Sequence, residues 1–396
     1  DDSRRTRPWV KPKVSSADCR LTVASRTRAG ATGGAGTGSC TGRRSDAFSP
    51  WALEGVGRVP ALGKHQWMPQ LSSSLTILPS PLPLLRAEDV PHPERAVARR
   101  ELIKVRRGVY APAESWLTLA PWTRYLAEVH AVLLGSPTVV PSHESAVALL
   151  GGPVFGNPRV VHVLAPSTGA SRLVSGIRTH TTTDDRALIV AGGITLTAPA
   201  EAAVDIARSR HPAIGLAVAD SMLRLDDALS REYLQLLNET RATKRGRDMA
   251  RWPLERVTPE AETAFESVTR CVIEWLGFPA PELQRSFVAS TGEVDRSDFV
   301  WDSESLAGEA DGDLKFDGRF GDAVSLLRQQ RARDARLRQH VRMVAHWGWH
   351  DATTFTPLAT LLRGAGLRPI ASENLAALTS MRHALATRAP HHTAQR

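Results

Sequence analysis

The sequence predicts an α/β chain of the α+β kind, with a winged-helix-like N-terminal region, a mixed middle domain and a C-terminal mixed sheet flanked by helices. Three observations predict it. At 396 residues the chain is long enough for two or three domains with real cores. Apolar residues recur at helical spacing in some segments and in short alternating or continuous runs in others. In the last third these segments follow the order helix, strand, strand, strand, helix, strand, helix.

The first 67 residues stand apart. They hold 12 Lys+Arg against 5 Asp+Glu, while residues 68–396 hold 38 against 36, so most of the net charge of +9 lies in this segment. Its Arg-, Gly-, Ser- and Thr-rich composition has no apolar periodicity and cannot bury enough surface to offset chain entropy. It reads either as a disordered basic arm for DNA or as translated upstream sequence. The first methionine is Met68, and 44 arginines against 6 lysines indicate a GC-rich genome, which favours the second reading.

Residues 68–120 come next. Pro93–Arg100 reads as a short helix with arginines at its end, and Leu102–Tyr110 as a basic strand with a glycine turn. That is the outline of a winged helix, in which Lys104, Arg106 and Arg107 would meet phosphates. A helix–strand unit with a solvated basic edge fits the same residues.

Residues 121–245 form the middle domain. Helices are expected at Trp122–Leu134, Glu144–Leu150, Pro199–Arg208 and Ala213–Arg224, with strands at Val160–Ala165 and Ile177–Thr183 and a strand pair around Gly192-Gly193. The basic run Thr240–Arg251, with Lys244, Arg245 and Arg247, is a further candidate for phosphate contact.

In residues 255–370, Phe265–Leu276 is an amphipathic helix with Gly277 as its C-cap, and Ser286–Ala289 starts the strands. Asp298-Phe-Val-Trp301 and Leu306-Ala-Gly-Glu309-Ala-Asp311 follow on two strands. One hairpin would set Asp298 beside Glu309, and alternation puts Glu309 and Asp311 on one face. Such oxygen ligands suit Mg²⁺ or Mn²⁺. Leu326–Gln339 is an arginine-rich helix, and Val341–Trp347 a strand ended by Trp349-His350-Asp351. His346, between apolar neighbours, reads as a core histidine; His143, His340, His346 and His350 give no zinc-ligand spacing. Residues 371–396 are a helix and tail.

Glu266-Ser267, Pro281-Glu282-Leu283-Gln284, Asp298-Phe299-x-Trp301, Gly308-Glu309-Ala310-Asp311-Gly312, Lys315-Phe316 and Arg333-Asp334 through Arg338 resemble the very-short-patch-repair-like nuclease domain of the PD-(D/E)xK group. The resemblance implies a restriction-endonuclease-like mixed sheet with a metal site at one edge. Asp298 matches the central acid, Glu309 the acid of the second strand and Glu266 the acid of the preceding helix. Asp311 stands where the wider group has its lysine, and Lys315 lies where relatives often carry a basic residue or histidine. The implied catalytic set is Asp298, Glu309, Asp311, Lys315 and Glu266, with Asp298 and Glu309 holding the ion.

Leu102-x-Lys-Val-Arg-Arg-Gly-Val-Tyr110 and Ser142-His143-Glu-Ser145-Ala146-Val-Ala-Leu149 are similar to the winged-helix segment and following domain of AbiEi-type antitoxins, across about 70–245. The usual first helix is replaced by the proline-interrupted Ser72–Leu85. This second resemblance implies DNA, a cognate toxin or its operator as partners.

The expected function is a DNA-binding, metal-dependent endonuclease. The alternative is a non-catalytic DNA-binding antitoxin or regulator with a degenerate nuclease fold. Three cysteines, with Cys271 on an apolar helix face, argue for a reducing, cytoplasmic setting. No apolar run reaches membrane-span length.

Overall fold

The computed structural model describes residues 75–166, 169–290, 292–311 and 323–386. The readings for residues 1–67, for Lys315 and for the tail beyond 388 lie outside these. The described residues form a mixed α/β structure with thirteen α-helices and four sheets.

A small antiparallel sheet comes first, from β1 (Leu85–Arg86), β2 (Leu102–Arg106) and β3 (Val109–Pro112) in the order β1-β3-β2, with α1 (Pro93–Ala98) and α2 (Ala113–Thr118) beside it. Residues 75–84, part of the proline-interrupted stretch that stands in place of the usual first helix, contain no helix. Three prolines there remove amide donors and bias their predecessors to extended backbone. The unit buries Leu82, Ala111 and Trp116 against Ala127 of the next helix.

That helix is α3 (Pro121–Gly135). It leads through β4 (Val140–Pro141) and α4 (His143–Leu149) into β5 (Val161–Pro166), β6 (Arg172–Val174) and β7 (Ile177–Thr182). The sheet order is β4-β5-β7-β6, with the central pair parallel and both outer pairs antiparallel. A hairpin of β8 (Leu188–Ala191) and β9 (Ile194–Thr197) turns at Gly192-Gly193, both at positive φ, as a two-residue hairpin loop requires. Four helices follow: α5 (Pro199–Ser209), α6 (Pro212–Leu225), α7 (Arg231–Thr240) and α8 (Arg247–Glu255). Prolines open α5 and α6 at the first turn, where their missing amide costs nothing.

The C-terminal elements are α9 (Ala264–Trp275), β10 (Glu282–Val288), β11 (Val294–Trp301), β12 (Leu306–Ala310), α10 (Ala323–Leu337), β13 (Met343–Trp347), α11 (Trp349–Thr354), α12 (Thr356–Gly364) and α13 (Leu375–Leu385). The Thr263 hydroxyl caps α9 by accepting from the Glu266 amide, and Gly277 at φ 78° closes its other end. The strands line up as β10-β11-β12-β13, the last pair parallel and the others antiparallel. Trp349-His350-Asp351, read as the end of a strand, instead opens α11, because Asp351 accepts from the Gly348 amide at its start.

One face of this sheet is apolar: Phe299, Trp301, Leu306, Ala345 and Trp347 join a core that runs on through α9, α6, α5 and α3. The middle and C-terminal segments therefore share one core. The opposite face is covered by α10, where Leu337 packs on Ala307 and Val344. No helix among the described residues is long and apolar enough to cross a membrane.

Candidate active site

Four polar side chains cross the sheet in a single row beneath α10. The register of β10 on β11 runs on either side of Gln284 and Asp298, the β11–β12 ladder ends at Phe299 opposite Gly308 with Asp298 and Glu309 next in line, and β12 pairs Glu309 with His346 of β13. Facing residues in adjacent strands point to the same side, so the four share one face.

Each member is held. The Asp298 carboxylate accepts from the Ala310 amide (2.9 Å) and from the Gln284 side chain (3.3 Å). Gln284 also donates to Glu266 of α9 (2.7 Å) and so bridges two acids. Gln284 sits at φ 52°, an uncommon backbone setting for a residue with a side chain. Glu309 is buried and accepts two bonds from the Arg333 guanidinium of α10, at 2.8 and 3.1 Å. Burial raises the Glu309 carboxyl, Arg333 pulls it down and Asp298 raises it again, to about 7 in all. Glu266 is raised by burial and then by Asp298. Neighbouring acids in poor contact with water resist ionising together.

At the end of the row, His346 is not the core histidine expected. Its Nδ1 meets Asp311 at 2.6 Å and its Nε2 meets both oxygens of Asp334 at 3.1 Å. Burial lowers its pKa, but the two aspartates outweigh that and the net shift is upward. Gln330 donates to Asp311 as well, at 3.0 Å. Asp311, in the place of the expected lysine, is thus an anchor for His346.

The basic residues singled out for phosphates divide. Lys104 and Arg107 are exposed, and Lys104 lies 3.4 Å from Glu94. Arg106 turns inward, donating to the Ser175 carbonyl (2.9 Å) and facing Glu128 (3.7 Å), so it ties the small sheet to the middle sheet and does not project as a wing residue. Lys244 and Arg245 are exposed, while Arg247 is spent on the Arg241 carbonyl (2.7 Å).

Two curated relatives are similar to this chain, the uncharacterized proteins MT2308 and Rv2248 of Mycobacterium tuberculosis strains CDC 1551 / Oshkosh and ATCC 25618 / H37Rv. Each is 33% identical over 210 residues, covering 52% of this chain and 73% of the relative. The chain belongs to the Rv2248 family. No family model and no solved structure matches it.

This member of the Rv2248 family has a second polar centre, which the sequence did not disclose. His143 at the start of α4, His162 on β5 and His180 on β7 bring one nitrogen each within 4.8 Å of one another, and they are the one such trio among the described residues. They line a cavity of about 720 Å³ with Arg178, Arg208, Arg245 and Asp205. Burial lowers all three imidazoles, His143 to about 4 and His180 to about 3, and so disfavours their charged forms. Beneath it, Arg186 and Arg241 each bond to both Glu201 and Asp205. The spacings 143, 162 and 180 match no compact ligand motif; only the parallel pairing of β5 with β7 brings the last two together.

Proposed function

We propose that this protein is a metal-dependent phosphodiester hydrolase acting on nucleic acid, with Asp298 and Glu309 as the acids that hold the ion. The observation that carries this reading is that Asp298 and Glu309 follow the Phe299–Gly308 pair in one polar row, close enough to raise each other's charge cost, with Gln284 linking Asp298 to Glu266. Two neighbouring carboxylates, one of them buried with a raised pKa, form a place that favours positive charge. The Arg333 guanidinium already occupies one side of it. Mg²⁺ or Mn²⁺ suits the donor set, since such ions take one or two carboxylates and complete their shell with water and substrate phosphate. When bound, the ion would acidify a water and neutralise charge on the phosphate.

The protein's own residues do the rest. Gln284 and the Ala310 amide fix the Asp298 carboxylate. Arg333, if displaced from Glu309, is positioned to meet a phosphate oxygen, for which its fork of donors is suited. His346, held between Asp311 and Asp334, supplies a positively charged group on the same face when protonated, the charge that the expected lysine would bring.

A second reading is a DNA-binding regulator with a silent nuclease fold, favoured by one observation: Arg333 takes both Glu309 oxygens, and Asp311 is committed to His346. Supercoiled plasmid incubated with the full chain in Mg²⁺ or Mn²⁺, beside an EDTA control, separates them. Nicking that needs the ion and is abolished by Asp298→Asn is expected. Retention on DNA in a mobility-shift assay with no metal-dependent nicking would replace the hydrolase by the regulator.

A further inference from the structure

We propose that His143, His162 and His180 form a second metal centre, for a divalent transition ion of the zinc type, whose open coordination position faces the arginine-lined cavity and takes an anion. This inference stands apart from the acidic row and does not depend on the hydrolase reading.

The ligand set comes first. The three nitrogens lie within 4.8 Å of one another, and the His162 Nδ1 and His180 Nε2 atoms are 2.8 Å apart. The rings are stacked, with the His143 and His180 centroids 3.8 Å apart, so all three lie together on one wall of the cavity. Imidazole is the ligand that zinc and its neighbours in the first transition row favour, and three of them leave a position open.

What stands behind the rings is equally specific. Metal-bound histidines present their other nitrogen to a carboxylate, which fixes the tautomer and the ring orientation. His143 Nδ1 lies 3.4 Å from Asp205 Oδ2, and His162 Nε2 lies 3.5 Å from Glu144 Oε2. With those carboxylates behind the rings, Nε2 of His143 and Nδ1 of His162 would face the ion, the latter in place of its 2.8 Å hydrogen bond with His180 Nε2. Glu144 Oε2 is buried and has no hydrogen-bond partner, although Arg210 reaches the other oxygen at 3.0 Å. An ion on His162 Nδ1 would hold the ring proton on Nε2, facing that orphaned oxygen.

The cavity decides what accompanies the ion. Asp205 is already balanced by Arg186 and Arg241, and Glu144 by Arg210. The trio itself brings no negative charge, and Arg178, Arg208 and Arg245 add positive charge to the walls. A divalent ion in these surroundings is favoured when an anion shares it, and phosphate is the simplest probe of that class.

The test uses the full chain, stripped with EDTA and dialysed. Titration with ZnCl₂ against a chromophoric chelator should show one equivalent bound per chain. CoCl₂ should give visible ligand-field bands of a histidine site, without thiolate charge-transfer bands, and added inorganic phosphate should shift them. His162→Ala with His180→Ala should abolish both signals. Glu144→Gln, a milder change behind the ligands, should weaken zinc about 10–100-fold. Asp298→Asn should leave the zinc stoichiometry at one, which separates this centre from the acidic row. Absence of tight zinc and of cobalt bands in the parent protein would overturn the proposal whatever the variants do. Stoichiometric zinc surviving the double histidine change would place the ion elsewhere and overturn it too. Cobalt bands indifferent to phosphate would overturn the anion-binding half.

Discussion

Asp220 shows at the scale of one residue how this protein pays for burying charge. It lies on α6 with no solvent exposure, accepting from the Thr258 amide (2.8 Å), the Ser267 hydroxyl (2.7 Å) and Arg270 (3.0 Å). Burial raises its carboxyl, Arg270 and the hydrogen bonds only partly offset that, and the net result is about 6. A folded-state pKa above the unfolded value stabilises the native state at low pH, and that advantage is lost as pH rises through about 6. The stability of the parent relative to Asp220→Asn should therefore fall between pH 4 and pH 7.5. Two pKa units correspond to about 2–3 kcal/mol. Denaturant melts of both proteins across that range measure it, and a pH-independent difference would show that Asp220 is ionised throughout.

At the scale of the element, β12 carries Glu309 on one face while its other face is packed tightly at Gly308. Gly308 lies under Trp347, and a Cβ there would come within 2.4 Å of the indole and 3.3 Å of the Phe299 side chain. Gly308→Ala should cost about 1–3 kcal/mol by overpacking. The same change made in a Trp347→Phe background should cost less, since the ring atoms it meets are gone. Equal costs in the two backgrounds, by thermal denaturation, would mean that the strand moves and the indole does not matter. The sequence revealed much of this element. The β11–β12 hairpin is local, so eleven residues of spacing sufficed to put Asp298 beside Glu309. His346 joins the row through a parallel pairing formed after α10, and no local pattern records such a contact. Arg333 and Asp334 were visible as helix residues, but the face they cover depends on how α10 packs. The histidine trio was missed for the same reason, with the added one that its members are 19 and 18 residues apart.

For the whole molecule, the decisive feature is the single core that joins residues of α3 to those of α13. Asp220 of α6 binding Ser267 and Arg270 of α9 is its polar counterpart. Unfolding should be one cooperative event for the middle and C-terminal segments, with tryptophan fluorescence and far-ultraviolet circular dichroism giving coincident denaturant curves. Residues 255–386 expressed alone should lack a cooperative transition, because α9 would expose Val268, Val272 and Ile273, all fully buried in the intact chain. Two resolved transitions in the full chain would contradict this.

The Arg333 guanidinium is seated on Glu309, and on the proposed hydrolase reading that pairing has a thermodynamic consequence. A cation arriving at Glu309 competes with a tethered rival whose local concentration never falls, so its apparent affinity is reduced by the fraction of time the rival is seated. Once displaced, the guanidinium becomes a free positive arm beside the ion, and a phosphate gains two attractions together. Cation and polyanion should then bind as cooperating effectors, each tightening the other by the same factor. Arg333→Gln uncouples them: Mg²⁺ alone should bind the variant more tightly than the parent by calorimetry, while added oligonucleotide should no longer sharpen Mg²⁺ binding. On the hydrolase reading, the arginine would favour the ion most when a phosphate arrives with it.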